Sequence, residues 1–323
     1  MPTFEELKPM LRPDGIHNGV MTVDKDKCTS CGLCVQNCPF RCWEMDVNNH
    51  PKLKDEYLCF SCYNCMIACP VKAVSIVQNF QVKEGFFDTD FPEVKMPLEP
   101  KDAEGNSVQW TETERLIMER RTVRNFKKDP VPESFLSRVL EAGRFAPSGG
   151  NHQPWKFTVV TDPGFISQLE EAVQSVWAGT YGACTNDEVV MNLVNVLPTG
   201  VFDPRVQYGI RCIAKKELSV YFSAPAIVFI GCNDKMTNPE MHAGICGQNM
   251  NLAAISLGLG FVWNNFGGVG VNQIPELKAK LGFGDSWTVQ TSFCLGYPKF
   301  KQKGLVPRHF RPVTWFRPGI DGA

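Results

Sequence analysis

Apolar positions follow three regimes along the chain. Between residues 20 and 80, short runs such as Val20–Val23 and Val74–Val77 are separated by clustered cysteines. Such runs suit brief strands and are too short for helices. From 81 to 110 no period is sustained; the stretch is acidic, carries Pro92, Pro97, Pro100 and Gly105, and reads as an extended linker. Phe80, Phe86, Phe87 and Phe91 predict that it lies against a domain surface. From 111 onward helical and strand patterns alternate. Thr111 and Glu114 have capping-box spacing ahead of Leu116 and Ile117, predicting a helix to about Arg120. Pro132 opens a second helical stripe of Phe135, Leu136, Val139 and Leu140. Trp155–Val160 alternates as a strand ended by Asp162-Pro163-Gly164, and Phe165–Trp177 reads as a helix. Ala224–Cys232 is a buried-type strand, Gly244–Leu257 an apolar helix ending at Gly258 or Gly260, and Trp287–Leu295 a last core strand. The expected division is a domain over 1–80, a linker over 81–110 and a larger domain over 111–323.

Composition narrows the class. The chain has 323 residues, 43% hydrophobic and 21% charged, which is a globular balance with room for two domains. A net charge of −1 gives no reason to expect nucleic acid or an anionic membrane as partner. Met1–Met10 has neither a basic n-region nor an apolar h-region, and no run of about 18 apolar residues exists. A cytoplasmic protein is the expectation.

The cysteines carry the first chemistry. Nine of the fourteen lie between Cys28 and Cys69. Disulfides belong to oxidising compartments, and the chain shows no export signal. The spacing is Cys28-x2-Cys31-x2-Cys34-x3-Cys38-Pro39, then Cys59-x2-Cys62-x2-Cys65-x3-Cys69-Pro70. Three thiolates on a tight loop can each reach one corner of an iron–sulfur cubane, and the fourth iron needs a ligand from farther away. In two-cluster ferredoxins the fourth cysteine of each run serves the other cluster. Cys28, Cys31, Cys34 and Cys69 are therefore expected to hold one [4Fe–4S] cluster, and Cys59, Cys62, Cys65 and Cys38 the second. Structural zinc commonly uses separated CxxC pairs, not triplets with a trailing Cys-Pro. Cys42 reads as a small buried hydrophobe. In spacing and in both trailing prolines the region resembles bacterial two-cluster ferredoxins.

A second constellation opens at Arg120-Arg121-Thr122-Val123-Arg124, where guanidinium forks would suit a phosphate. A solvated basic patch is the plainer reading of these residues alone. Ala146-Pro147-Ser148-Gly149-Gly150-Asn151-His152-Gln153-Pro154-Trp155 then offers small side chains, backbone donors and an amide for close approach to a flat heterocycle. Together with the later Leu257-Gly258-Leu259-Gly260 and Trp263, these motifs resemble the nitroreductase family of FMN flavoproteins over about residues 111–315. The resemblance implies an α+β fold, with a mixed sheet flanked by helices after the ferredoxin-like domain, and a homodimer with FMN between subunits. It places Arg120, Arg121, Thr122 and Arg124 on the phosphate, ribityl chain and pyrimidine edge, with Thr122 where the family usually has Ser. It places Pro147, Ser148, Gly149 and Asn151 on the flavin of the other subunit. It brings the backbone of Trp263, Asn264, Asn265 and Phe266 beside the ring, although Asn264-Asn265 departs from the commonest pattern. Arg308, after Gly296-Tyr297-Pro298 and Leu305-Val306-Pro307, matches the family's late basic residue at the phosphate.

Gly258-Leu259-Gly260 and Gly267-Gly268-Val269-Gly270 do not make a dinucleotide fingerprint. No catalytic side chain stands out, and the resemblance requires none because the flavin carries the chemistry. The expected activity passes electrons from an external low-potential carrier such as a ferredoxin, through the clusters to FMN, and on to a small organic acceptor. A nitroaromatic, a quinone or a similar compound would serve. The alternatives are a non-enzymatic carrier that gates one- and two-electron flow between partner proteins, and a reductase of a different acceptor such as a halogenated aromatic. Acceptor specificity is expected in residues 177–222, with Trp177, Tyr181, Cys184, Arg205, Tyr208 and Arg211. His242, at a helix start, reads as structural.

Overall fold

The computed structural model describes residues 16–55, 57–82, 93–183, 204–310 and 313–317. Its N-terminal part is two similar halves. Strand β1 (Val20–Val23) pairs antiparallel with β4 (Val74–Gln78), while β2 (Trp43–Met45) pairs with β3 (Pro51–Leu53). Each half adds a one-turn helix, α1 (Leu33–Asn37) or α2 (Asn64–Ala68), entered through a left-handed residue, Gly32 or Tyr63. The left-handed residues Ser30 and Arg41 of the first half recur as Ser61 and Lys72 in the second. Both halves therefore bend their cysteine loops in the same way. Their shared interior contains Met21, Trp43 and Val74 together with cysteines, a small core for which metal ligation is the usual reinforcement.

The larger part is built on a four-stranded sheet, in the order β7 (Gly260–Trp263), β8 (Trp287–Gly296), β6 (Ala226–Asn233), β5 (Trp155–Val160). All three pairings are antiparallel, so among the described residues the expected mixed sheet shows no parallel pair. Strand β6 explains the two-sided core. Ala226, Val228, Ile230 and Cys232 face one cluster with Val139 and Met250, from α4 (Glu133–Arg144) and α7 (Pro239–Ser256). Ile227 and Phe229 face another with Leu169 and Val173 from α5 (Pro163–Ala183) and Ile213 from α6 (Pro204–Ala214). A strand covered on both faces has no polar alternation to show, which is why it reads as a continuous apolar run.

Helix α3 (Glu112–Glu119) has the expected capping box, Thr111 and Glu114 each bonding the other's backbone N–H. Three expectations shift. Asp162-Pro163-Gly164 starts α5 rather than forming a separate turn: the Asp162 carboxylate accepts from the Phe165 N–H at 2.6 Å and Pro163 needs no partner in the first turn. The apolar helix begins at Pro239, five residues before Gly244, and ends where Gly258 turns left-handed at φ 78°. Among the described residues five helices went unread: α1 and α2 in the cysteine region, then α6, α8 (Asn265–Asn272) and α9 (Pro275–Lys280). Of the linker, Val94–Lys95 pairs with Arg308–His309, and Phe80 is buried with its N–H on the Ser61 hydroxyl. Phe86, Phe87 and Phe91 lie outside the described residues, as does Cys184.

Candidate functional site

The cysteines converge in two crossed sets. Cys28, Cys31, Cys34 and Cys69 line one small cavity, closed by Pro51, Ala73 and Val74. In the other, the buried Cys65 feels the charges of Cys62, Cys38 and Cys59. The fourth cysteine of each run thus sits with the opposite triplet. Backbone N–H groups already point at the sulfurs: Cys42 donates to Cys38 Sγ at 3.3 Å and Ala73 to Cys69 Sγ at 3.2 Å, equivalent positions in the two halves. Such donors stabilise thiolates and tune a cluster's potential. Among the described residues, no group of three or more His, Cys, Asp or Glu is arranged to hold a single metal ion. Cys42 is buried, its thiol donating to the Leu58 carbonyl at 3.2 Å.

The second set faces the larger part of the chain. Tyr208 on α6 donates to the Phe40 carbonyl at 3.0 Å, and Phe40, Phe60 and Tyr208 pack edge to face at 4.7–6.1 Å. Arg41 bonds the Glu217 carbonyl, Gln302 donates to Asn37 at 2.6 Å, and Ile67 fills the space over Gly304. Tyr208 therefore seals the joint between the two parts, and burial pushes its phenol well above the ordinary range.

Immediately across that joint lie the arginines. Val123 N–H bonds the Phe261 carbonyl at 3.0 Å, and Lys127 N–H bonds the Tyr297 carbonyl at 2.8 Å, fixing the extended segment against the core. Burial lowers the basicity of Arg124, and the Cys62 sulfur is the charge that offsets it. Arg120 is lowered by burial and by the neighbouring Arg308. Arg121 is lowered to about 10 by burial, then by Arg308 and Arg120. Arg308, paired in the strand with Lys95, thus lies with Arg120 and Arg121. Among the described residues, none of these four arginines forms an ion pair with a carboxylate. Thr122 is half-buried between them. Such a cationic cluster lacks its anion. The side chain of Arg121, with Val123 and Arg120, lines a cavity that Thr122 and Arg124 do not reach.

The remaining predicted contacts divide. Gly149 and Asn151 form an exposed turn, Ser148 accepting from the Gln153 N–H at 2.9 Å and Pro147 exposed beside it. Among the described residues no hydrogen bond or ion pair links this turn to the arginines. Trp263 ends β7 with its ring in the core, packed on Gly247, Phe261 and Phe293, so its backbone alone is offered to a ligand. Asn265 starts α8 and accepts from Thr291 Oγ1 at 2.7 Å. Phe266 meets Trp177 edge to face at 5.1 Å, and the Trp177 indole N–H bonds the Phe266 carbonyl at 3.0 Å. The Asn264 side chain, whose backbone the resemblance puts beside the ring, is a buried brace. Its amide donates to the Val220 carbonyl at 2.9 Å and accepts from the Gly267 N–H at 3.1 Å, capping α8. Replacing Asn264 by alanine strands both groups and removes the cap, so urea unfolding should show a loss of about 2–4 kcal/mol. The buried Arg211 reaches Glu217 at 3.5 Å, and Arg205 has no described side chain. His242 is buried under Gly149 at the start of α7.

The pattern of the nitroreductase family matches residues 117–297, more than half of the chain. The chain belongs to the nitroreductase family. It is an oxidoreductase, and residues 21–44 match a 4Fe-4S binding domain as well. A relative from Archaeoglobus fulgidus named "Putative NADH dehydrogenase/NAD(P)H nitroreductase" is 26% identical over 189 residues, covering 57% of this chain and 84% of its own. An iodotyrosine deiodinase of Nematostella vectensis is 26% identical over 117 residues, 32% of this chain; the match spans 44% of the deiodinase, less than half its length. A solved nitroreductase with bound FMN from Desulfitobacterium hafniense is 22% identical with a TM-score of 0.49, over 65% of this chain and all of that one. Among the described residues no helix is long and apolar enough to cross a membrane.

Proposed function

We propose that this nitroreductase-family chain carries two [4Fe–4S] clusters and FMN, and moves electrons from the clusters through FMN to a small organic acceptor. The observation that supports the reading is the packed seam between the second cysteine set and the larger part, where Tyr208 donates to the Phe40 carbonyl at 3.0 Å and packs on Phe40 and Phe60, the neighbours of Cys38 and Cys59. The donor sets fit the groups assigned to them: eight cysteines in two crossed fours, and an arginine cluster without an anion. When bound, the clusters supply single electrons and the flavin one or two. Arg120 and Arg308 would hold the FMN phosphate with Thr122 beside them, and Arg124 the pyrimidine edge. The backbone of Trp263, Asn265 and Phe266 would pass the ring, and Pro147, Ser148, Gly149 and Asn151 would complete the site of a second copy in a homodimer.

The chain's own residues set the conditions for transfer. Phe40, Phe60 and Tyr208 exclude water from the joint, which keeps the charge of Arg124 effective at the second cluster and favours reduction there. Cys31, exposed in the first set, marks the side open to an external low-potential carrier. Residues 1–80 would form the ferredoxin domain, 81–110 the linker and 111–323 the FMN domain. Trp177 and Phe266 form an aromatic corner suited to a flat acceptor. The match to a deiodinase favours a halogenated aromatic as a second acceptor class beside nitroaromatics and quinones.

Anaerobic reconstitution should give about eight iron and one FMN per chain. The dithionite-reduced protein should then turn over at least one of a nitro, quinone or haloaromatic panel. Mixed dimers, one subunit lacking Cys62 and the other lacking Arg124, test the route. If the flavin must be fed by its own chain, they retain almost no turnover; half-normal turnover would show that electrons cross between subunits.

A further inference from the structure

Arg121 is 7% exposed, and neither its Nε nor one of its Nη atoms has a hydrogen-bond partner. A guanidinium that deep and without a hydrogen-bond partner on these atoms is costly; Arg308 and Arg120 beside it have the wrong sign, and the Cys62 sulfur offsets them only in part. Its side chain opens into a cavity of about 380 Å³ between the 120–127 segment, the end of α7 and the loop after β8. Lys127, Lys299, Lys301 and Lys303 surround that cavity, Arg120 sits at its edge, and no Asp or Glu lines it. Tyr297, Phe300, Leu259 and Ile255 provide an apolar floor.

The cavity is not the continuation of the proposed FMN cradle. Side chains of an extended segment alternate between two faces, and here Arg121 and Val123 take the cavity face. Thr122, Arg124 and Arg308 are absent from the cavity lining. One FMN phosphate held by Arg120 and Arg308 would leave Arg121 and the lysines with no carboxylate in the cavity lining to balance them.

We propose that this cavity is a second anion site, which binds the diphosphate group of a small organic ligand. The buried guanidinium is a fork that takes phosphoryl oxygens two at a time, and lysines act as point charges around it. The volume falls within the range of small-molecule sites and exceeds what an inorganic ion needs. The floor gives the organic portion an apolar surface. The proposal goes beyond the electron-transfer reading and uses none of its FMN contacts except the shared edge at Arg120.

The test is calorimetric titration of iron- and FMN-saturated protein with inorganic pyrophosphate and with ADP. One site per chain is expected for both, with ADP at least as tight. Arg121→Met should weaken both by about tenfold or more. Should that variant not fold, the exposed pair Lys301→Glu and Lys303→Glu reads the same site: pyrophosphate affinity falls while FMN content, measured by flavin absorbance, stays unchanged. Absence of binding to the FMN-saturated protein would overturn the proposal. So would loss of FMN in step with pyrophosphate in the lysine variant, which would make the two sites one. Pyrophosphate binding without ADP binding would overturn the organic-ligand assignment.

Discussion

Replacing Cys65 with alanine is expected to lower iron from about eight per chain to about four and to leave the flavin oxidised when a reduced carrier is supplied. Cys65 is buried, 4% exposed, with Cys38, Cys59 and Cys62 as its sulfur neighbours. Losing it removes the set that faces Arg124, while the cavity lined by Cys28, Cys31, Cys34 and Cys69 keeps its four ligands. The remaining iron, measured by chelator assay and low-temperature EPR, is the control that the module still folds. Stopped-flow bleaching of the flavin is the readout. Bleaching at the parent rate would mean that electrons bypass the second set, and the proposed route would fail. Cys42→Ala makes the contrast, since the equivalent position in the other half is Ala73 and should keep its full complement of iron.

A comparably large effect on stability is expected at Phe293. It is fully buried at the centre of β8 and stacks on Phe261 with centroids 4.5 Å apart and planes 23° from parallel. Truncation to alanine leaves a cavity beneath Trp263 as well, at a cost of about 3–5 kcal/mol. For a domain of this size that lowers the calorimetric Tm by on the order of 10 °C. A shift of a degree or two would show that neighbouring side chains collapse into the space.

The cluster module was legible because its signal is covalent spacing: a cubane demands closely spaced thiolates, and the chain must supply them locally. In the folded chain Cys69 lines the cavity of the first triplet and Cys38 lies among the second. The capping box at Thr111 and the two-sided strand β6 were legible for the same reason, being local patterns. Helix α8 was not. Asn265-Phe266-Gly267-Gly268-Val269-Gly270 is rich in the residue least suited to helices, and packing supplies the reason. A Cβ on Gly268 would lie 2.8 Å from the Thr291 backbone, and one on Gly267 2.5 Å from Tyr221. The glycines let the helix lie directly on β8, a tertiary requirement without local trace. Arg121 shows the same limit. The motif groups it with its arginine neighbours, and the backbone then turns it to the other face.

The joint sealed by Tyr208, Phe40 and Phe60 would set the kinetics of the proposed transfer step. A donor arriving by diffusion must find its acceptor, and that search slows with dilution and with added salt. Two parts of one polypeptide held together by aromatic contacts and three hydrogen bonds perform no search. On the proposed route, transfer across the seam would be first order, and concentration and ionic strength would be felt only upstream, where an outside carrier would meet the first cysteine set.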